Sequence, residues 1–157
     1  MARRDISMSA DQIGEFLAAG RKLQVATVGA DGHPHLTTLW YVMRAGQITF
    51  RSFSKSQRIA NLRRNPRLTV LVEAGNAYAE LRGVMVKGHA RLIEDRRTVL
   101  EVYGQIAAKH EGSGEASPLD ANALEMLFGR QADKNTVVMV EPESIASWDH
   151  RKLGGSY

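Results

Sequence analysis

Apolar positions recur with two different periods along this chain. The side chains of Ile13, Phe16 and Leu17 recur at helical spacing. They predict an amphipathic helix that begins after Ser9, a favourable N-cap residue, and ends at Gly20. Most other apolar positions fall in short runs that are rich in β-branched residues and bounded by turn residues, which is typical of strands. The predicted strands cover residues 23–28, 35–43, 47–53, 68–73, 78–93 and 136–140.

Turn residues join the first strands as hairpins. Asp31-Gly32 and Ala45-Gly46 each stand between two predicted strands. A Gly- and Ser-rich stretch at residues 111–118 predicts a mobile loop. Further helices are predicted at residues 57–64, 94–110 and 120–130. Hairpin-linked strands pair antiparallel, and a sheet of this size tends to close on itself, so the pattern predicts an α+β fold with a small antiparallel barrel.

The composition agrees with one domain over residues 1–157. Hydrophobic residues make up 43% of the chain, and no apolar run is long enough to span a membrane. The absence of cysteine excludes disulfides, thiolate metal sites and cysteine nucleophiles. We therefore expect a cytoplasmic protein with neither signal peptide nor membrane contact. The net charge of +4 favours anionic partners, such as a phosphorylated cofactor or nucleic acid.

One segment concentrates this charge. Residues 51–58, Arg-Ser-Phe-Ser-Lys-Ser-Gln-Arg, combine a strand end, turn hydroxyls, a helix start and three cations. Free backbone N–H groups and the positive end of the dipole favour an anion at a helix N-terminus, and Arg or Lys side chains strengthen its binding. The segment predicts a phosphate site. A solvated basic helix remains the alternative.

Other chemistries find less support in the sequence. Arginines near residue 64 have no interleaved aromatic residues, which disfavours nucleic acid. His33 and His35 lack a nearby third ligand, so no metal site is predicted. The nucleophile elbow, the dinucleotide-binding glycine motif and the phosphate-binding P-loop are all missing. With a phosphate site and no catalytic side chains in view, a cofactor is expected to supply the reactivity.

Three stretches resemble the pyridoxamine-phosphate-oxidase-like superfamily of flavin-binding split barrels. They are Val25-Ala26-Thr27-Val28 with Asp31-Gly32-His33-Pro34, the strand from Thr37 to Tyr41, and the run from Phe53 to Pro66. The ending from Ser147 to Gly155 is similar to the actinobacterial branch that uses the deazaflavin coenzyme F420. The resemblance implies a split antiparallel barrel of six to seven strands that forms a homodimer.

The resemblance also implies roles for individual residues. The ring of the cofactor would be lined by backbone groups of Thr37, Thr38, Leu39 and Trp40. The ring and ribityl chain would be bordered by Arg51, Ser52, Phe53 and Ser54. The phosphate would be held by Lys55 and Arg58, and the second protomer would contribute Leu81 and Arg82.

The function expected from this resemblance is hydride transfer from reduced F420 to a small unsaturated or heterocyclic acceptor. Two alternatives remain open. One is an FMN-dependent enzyme similar to pyridoxamine phosphate oxidase, and the other is a protein that binds flavin or F420 without catalysis. Trp148 is expected to anchor the core or an interface rather than to contact the cofactor.

Overall fold

The computed structural model describes residues 5–111 and 119–154. Within these residues lie one sheet of seven strands, all paired antiparallel, and four α-helices. The strands are β1 (Lys22–Val28), β2 (Pro34–Trp40), β3 (Val42–Arg44), β4 (Gln47–Phe53), β5 (Arg67–Ala74), β6 (Arg82–Ile93) and β7 (Asn135–Asp149). The helices are α1 (Ala10–Ala19), α2 (Gln57–Arg64), α3 (Arg96–Glu111) and α4 (Ala121–Ala132). Short 3₁₀ turns cover Tyr78–Glu80 and His150–Leu153.

The strand order shows that the sheet curls into a barrel. It runs β2-β1-β5-β6-β7-β4-β3, so β2 and β3 lie at opposite ends of the sheet. Only Tyr41 separates them along the chain. One residue cannot span an open sheet of this width, so the two ends must approach each other. The α+β split barrel expected from the sequence is confirmed, with its seam between β2 and β3.

The prediction of one strand over residues 35–43 is wrong, because the run divides at Tyr41. The Tyr41 side chain is fully buried, and its hydroxyl donates a 2.5 Å hydrogen bond to the carbonyl of Leu17 in α1. Burial raises the pKa of this hydroxyl, which therefore stays protonated. Tyr41 thus holds the chain where it crosses from one end of the sheet to the other.

The last predicted strand was too short. β7 continues from Asn135 to Asp149 and pairs with β6 along most of its length, with a bulge at Gly88. Its residues 141–146, Glu-Pro-Glu-Ser-Ile-Ala, are all exposed and lack the apolar alternation that signals a strand. At the start of the predicted strand 78–93, Tyr78–Glu80 form a 3₁₀ turn instead. In the predicted loop, Glu111 ends α3, and residues 112–118 lie outside the described part of the chain.

Two apolar clusters hold the fold together. The larger fills the barrel with inward side chains such as Leu23, Phe50 and Val84, and α2 closes one end with Ile59 and Leu62. The smaller lies outside the barrel, where α3 and α4 pack against β3, β4 and β7. No helix in the described residues is both long and apolar enough to cross a membrane.

Candidate functional site

The seam exposes strand edges that have no strand partner. β3 pairs only with residues 47–49 of β4, so residues 50–53 have β7 on one side and, within the described residues, no strand on the other. β2 likewise pairs with β1 alone. Backbone N–H and C=O groups along both edges remain available for a ligand.

Arg58 bridges the seam from the first turn of α2. Its Nε donates a 2.9 Å hydrogen bond to Thr37 Oγ1 on β2, and its Nη1 donates to Ser52 Oγ on β4. Ser52 Oγ also lies 3.0 Å from Oγ of Ser56, the N-cap of α2. Three hydroxyls and one guanidinium therefore meet where the barrel is open.

The charge of Arg58 has no carboxylate partner among the described residues. The residue is only 8% exposed, and the ion pairs of this part of the chain do not include it. Burial lowers the pKa of Arg58, yet a guanidinium stays charged in proteins. A buried cation is ordinarily paired. The arrangement lacks an anion, and a phosphate would supply it.

Buried polar contacts fix α2 in this position. Asn61 is fully buried and donates a 3.0 Å hydrogen bond to Thr27 Oγ1 on β1. Gln57 donates to Asn61 Oδ1 at 2.8 Å, so the amide holds both the strand and its own helix. Sequence reasoning missed Thr27 and Asn61, since a lone polar residue on a basic helix gives no sign of burial.

His35, for which the sequence predicts no metal site, lies in the half-buried row of β2. It lies on the same face as Thr37, and its Nδ1 is buried without a hydrogen-bond partner in the described residues. An unsatisfied buried nitrogen on the strand face that meets Arg58 through Thr37 is a second feature that suits a polar ligand.

Arg51 lies on the other face of β4 from Ser52. Its guanidinium stacks 3.9 Å from the ring centroid of Tyr103 in α3, and its Nε is buried without a partner among the described residues. It lines a cleft of about 290 Å³ that brings together several of the predicted residues. The lining residues are Lys22, Thr38, Leu39, Trp40, Arg51 and Ile106.

One side of this cleft is formed by α3, and none of the site residues predicted from the sequence lies on that helix. The Trp40 indole stacks on His110 with ring centroids 4.4 Å apart and planes 1° from parallel. Tyr103 supports Arg51, and Ile106 lines the cleft. The sequence predicts a helix over residues 94–110, but a helical pattern alone could not show that Tyr103 and Ile106 would lie beside residues of the site.

The remaining predicted residues are more dispersed. Phe53 is half exposed, and Lys55 is exposed in the turn before α2. Ser54 lies 2.9 Å (Oγ to Oγ1) from Thr136 on β7, so its hydroxyl already has a partner. Lys55 makes no ion pair within the described residues, which leaves its ammonium group available to a ligand near the start of α2.

Leu81 and Arg82 do not join this site within one protomer. Arg82 lines a separate pocket of about 460 Å³ beside α1, together with Phe16, Asp149 and Arg151. Leu81 is half-buried next to it, and its carbonyl accepts a hydrogen bond from the backbone of His150. Their contribution to the cofactor site of a second protomer stays a prediction.

Trp148 packs against the backbone of Gly83, where its indole fills the space that a Cβ would need. The contact agrees with the anchoring role expected for it. Over residues 5–111 and 119–154 no group of three or more His, Asp or Glu side chains is arranged to hold a metal ion.

Comparison with known proteins decides the family. The sequence matches the pyridoxamine 5'-phosphate oxidase family over residues 9–149, which include every strand and α-helix described above. The chain belongs to the pyridoxamine 5'-phosphate oxidase family. The superfamily resemblance noted in the sequence is thereby confirmed, and the family supports a protein that binds a flavin or deazaflavin.

Solved structures agree with this family assignment. The conserved hypothetical protein Rv2991 from Mycobacterium tuberculosis is 35% identical, with a TM-score of 0.87 over 100% of this chain and 94% of that chain. An F420 reductase is 19% identical, with a TM-score of 0.62 over 83% of this chain and 93% of its own. A FAD-binding protein from Mesorhizobium loti is 19% identical, with a TM-score of 0.65 over 94% and 97% of the two chains. The last two show the fold alone. No curated protein gives a significant match.

The residues at the seam fit the phosphate of such a cofactor. Arg58 is a buried cation without a carboxylate, and His35 presents an orphaned nitrogen on the same face of β2 as Thr37. The free edges of β2 and β4 would hold a flat polar ring through backbone groups. These features are what a phosphorylated flavin or deazaflavin needs from its protein.

Proposed function

We propose that this protein is an oxidoreductase that uses reduced F420 to reduce a small unsaturated or heterocyclic organic compound. The observation that carries the proposal is Arg58, a buried guanidinium that joins Thr37 and Ser52 across the seam and has no carboxylate partner in the described residues. The phosphate of the cofactor would complete this arrangement.

The protein's own residues would bind and orient the cofactor. Arg58 and Lys55 would hold the phosphate, with the Ser52 hydroxyl as a further hydrogen-bond partner. The edge of β2 from Thr37 to Trp40 would bond the polar edge of the ring through backbone groups. When bound, the cofactor would supply a hydride to the acceptor, and a proton from water would complete the reduction. Tyr103 and Ile106 of α3 would keep water from one side of the cleft.

F420 is preferred because the ending from Ser147 to Gly155 is similar to the branch of the superfamily that uses this coenzyme. F420 carries an acidic glutamyl tail besides its phosphate, whereas FMN carries the phosphate alone. Lys55 is exposed in the turn before α2, where its ammonium group can pair with this longer anionic arm.

The family match favours FMN as the second candidate. The family is named for an oxidase, and the Mesorhizobium loti neighbour is described as FAD-binding. Both cofactors would use the same phosphate position at Arg58. A protein that binds either one without turnover is the third outcome that the experiments below distinguish.

We further propose that the active form is a homodimer. Within the described residues, the outer faces of β1, β5 and β6 make at most minor contacts with α3 and α4, and Leu36 on β2 is 65% exposed. On the same face, Gln24 Oε1 is buried without a partner in the described residues. A second copy would cover this face. Light scattering on the purified chain should give twice the monomer mass of 17.3 kDa.

Parallel titration with F420 and FMN tests the cofactor assignment. Binding is followed by quenching of the two tryptophans, Trp40 beside the cleft and Trp148 away from it. A Trp40→Phe variant serves as the control for signal from the site. Tight binding of F420 by a colourless preparation, followed by oxidation of reduced F420 in the presence of an acceptor panel, would support the proposal. A yellow preparation that prefers FMN would replace it with the second candidate.

A further inference from the structure

The cleft beside Trp40 is separate from the phosphate position. Neighbouring residues of a strand point to opposite faces, and on β4 this places Ser52 toward Arg58 and Arg51 toward α3. The cleft of about 290 Å³ is the size of a pocket for a small organic molecule. Arg58 and Arg51 therefore lie on opposite faces of β4.

Arg51 has the features of an anion-binding side chain. Its guanidinium carbon lies over the Tyr103 ring, 3.9 Å from the centroid, its Nε is buried without a partner, and no carboxylate pairs with it among the described residues. A guanidinium held against a ring is prepared to bind a carboxylate through two parallel hydrogen bonds. Lys22 on the same cleft adds a second positive charge.

The opposite wall of the cleft is flat and aromatic. Trp40 is 44% exposed although its ring stacks on His110, so one part of the indole remains open to the cleft. Leu39 and Ile106 complete an apolar lining. A planar ring is the shape that stacks on such a wall.

We infer that this cleft receives the acceptor and that the acceptor is a planar compound carrying a carboxylate, which Arg51 binds while Trp40 stacks on the ring. The inference rests on the proposed function, because it places the acceptor next to a cofactor bound at the seam. It assigns Arg51 to the acceptor, whereas the sequence resemblance assigned it to the ring and ribityl chain of the cofactor.

The test uses quinoline-2-carboxylate and its neutral amide, quinoline-2-carboxamide, as matched probes. Calorimetry measures the affinity of both for the full chain, first alone and then saturated with F420 or FMN. The acid should bind at least about tenfold more tightly than the amide, because the amide lacks the negative charge and so loses one charge-assisted hydrogen bond to Arg51. Equal affinities would overturn the inference.

Arg51→Gln should abolish the preference for the acid and leave the affinity for F420 or FMN unchanged. Arg97→Gln is the matched control, because the Arg97 side chain is 88% exposed on α3. Arg51→Lys keeps the charge and should keep a measurable preference for the acid, which guards against misfolding of the glutamine variant. Trp40→Leu should weaken both probes equally. A preference that survives in Arg51→Gln would overturn the assignment.

Two further results separate this inference from the proposed function. If Arg51→Gln weakens cofactor binding as much as it weakens binding of the acid, Arg51 serves the cofactor, and the inference fails while the proposed function stands. If neither F420 nor FMN binds the wild-type chain but the acid preference remains, the proposed function fails and the recognition of a planar acid is upheld.

Discussion

Two regions of this barrel use arginine in opposite ways. At the junction of α3 and α4, Arg96 donates to the carboxylates of Glu125 and Asp133, so its charge is paired within the protein. At the seam, Arg58 is more deeply buried, yet its partners are the hydroxyls of Thr37 and Ser52. The first arrangement is complete as it stands.

The two arginines differ in whether a carboxylate compensates the positive charge. The hydrogen bonds that Arg96 donates to Glu125, together with the nearby charge of Asp133, raise the pKa of Arg96. For Arg58, desolvation lowers the pKa and no carboxylate in the described residues offsets it. A buried cation without an anion is unfavourable unless a ligand provides one. We therefore interpret Arg96 as structural and Arg58 as a ligand-binding residue.

The largest effect is expected from removing the cations at the seam. Lys55→Ala with Arg58→Ala should weaken cofactor binding by roughly a hundredfold or more, because two charge-assisted contacts are lost. Calorimetric titration with the cofactor that the wild-type chain prefers measures the change. The double variant should stay folded, since Lys55 is exposed and Arg58 makes no ion pair in the described residues.

The control for this variant removes two cations from the other region. Arg96→Ala with Arg97→Ala should leave cofactor affinity unchanged and lower the melting temperature, since Glu125 and Asp133 lose their partner. Equal loss of cofactor affinity in both double variants would show that only the overall charge affects binding, and it would contradict the distinction between a ligand-binding Arg58 and a structural Arg96.

An intermediate effect is expected at the base of α2. Asn61→Leu leaves Thr27 Oγ1 buried without its 3.0 Å hydrogen bond, which should lower the free energy of unfolding by about 1–3 kcal/mol. Urea unfolding measures the loss. Adding Thr27→Val should recover part of it, because both polar partners are then gone. No recovery would mean that the helix is held by other contacts.

The smallest effect is expected at Asp149, where an arginine is again paired. Hydrogen bonds from Arg151 hold the pKa of this carboxyl below its usual value of 3.8. Its stabilising contribution is therefore complete above about pH 4 and is lost as the pH falls through the lower folded-state pKa. Asp149→Asn should flatten the dependence of unfolding free energy on acidic pH. A wild-type slope in that variant would assign the acid sensitivity to other groups.

Much of the fold could be predicted because its signals are local. The Ser9 cap of α1, the turn at Asp31-Gly32 and the apolar runs of β1 and β5 each depend on neighbouring residues. The break at Tyr41 could not be predicted, since it depends on a hydrogen bond to Leu17 in another element. The second half of β7 was missed for a related reason, because its exposed residues carry no apolar alternation.

The candidate site was predictable in part for the same reason. The segment from Arg51 to Arg58 concentrates charge at one helix start, which is visible in the sequence. Tertiary packing determines which face of β4 each arginine contacts. Arg58 donates a hydrogen bond to Ser52 on one face, and Arg51 on the other face lies over the ring of Tyr103 in α3. The stacking of Trp40 on His110 joins residues 70 positions apart and leaves no local pattern.

A crystal structure with the preferred cofactor bound tests the central claim most directly. The quantity to measure is the distance from the cofactor phosphate to the guanidinium nitrogens of Arg58. The account predicts hydrogen-bond distances of about 2.7–2.9 Å, with Ser52 or Ser56 in contact with the same phosphate. A phosphate bound elsewhere, with Arg58 still joined only to Thr37 and Ser52, would contradict it.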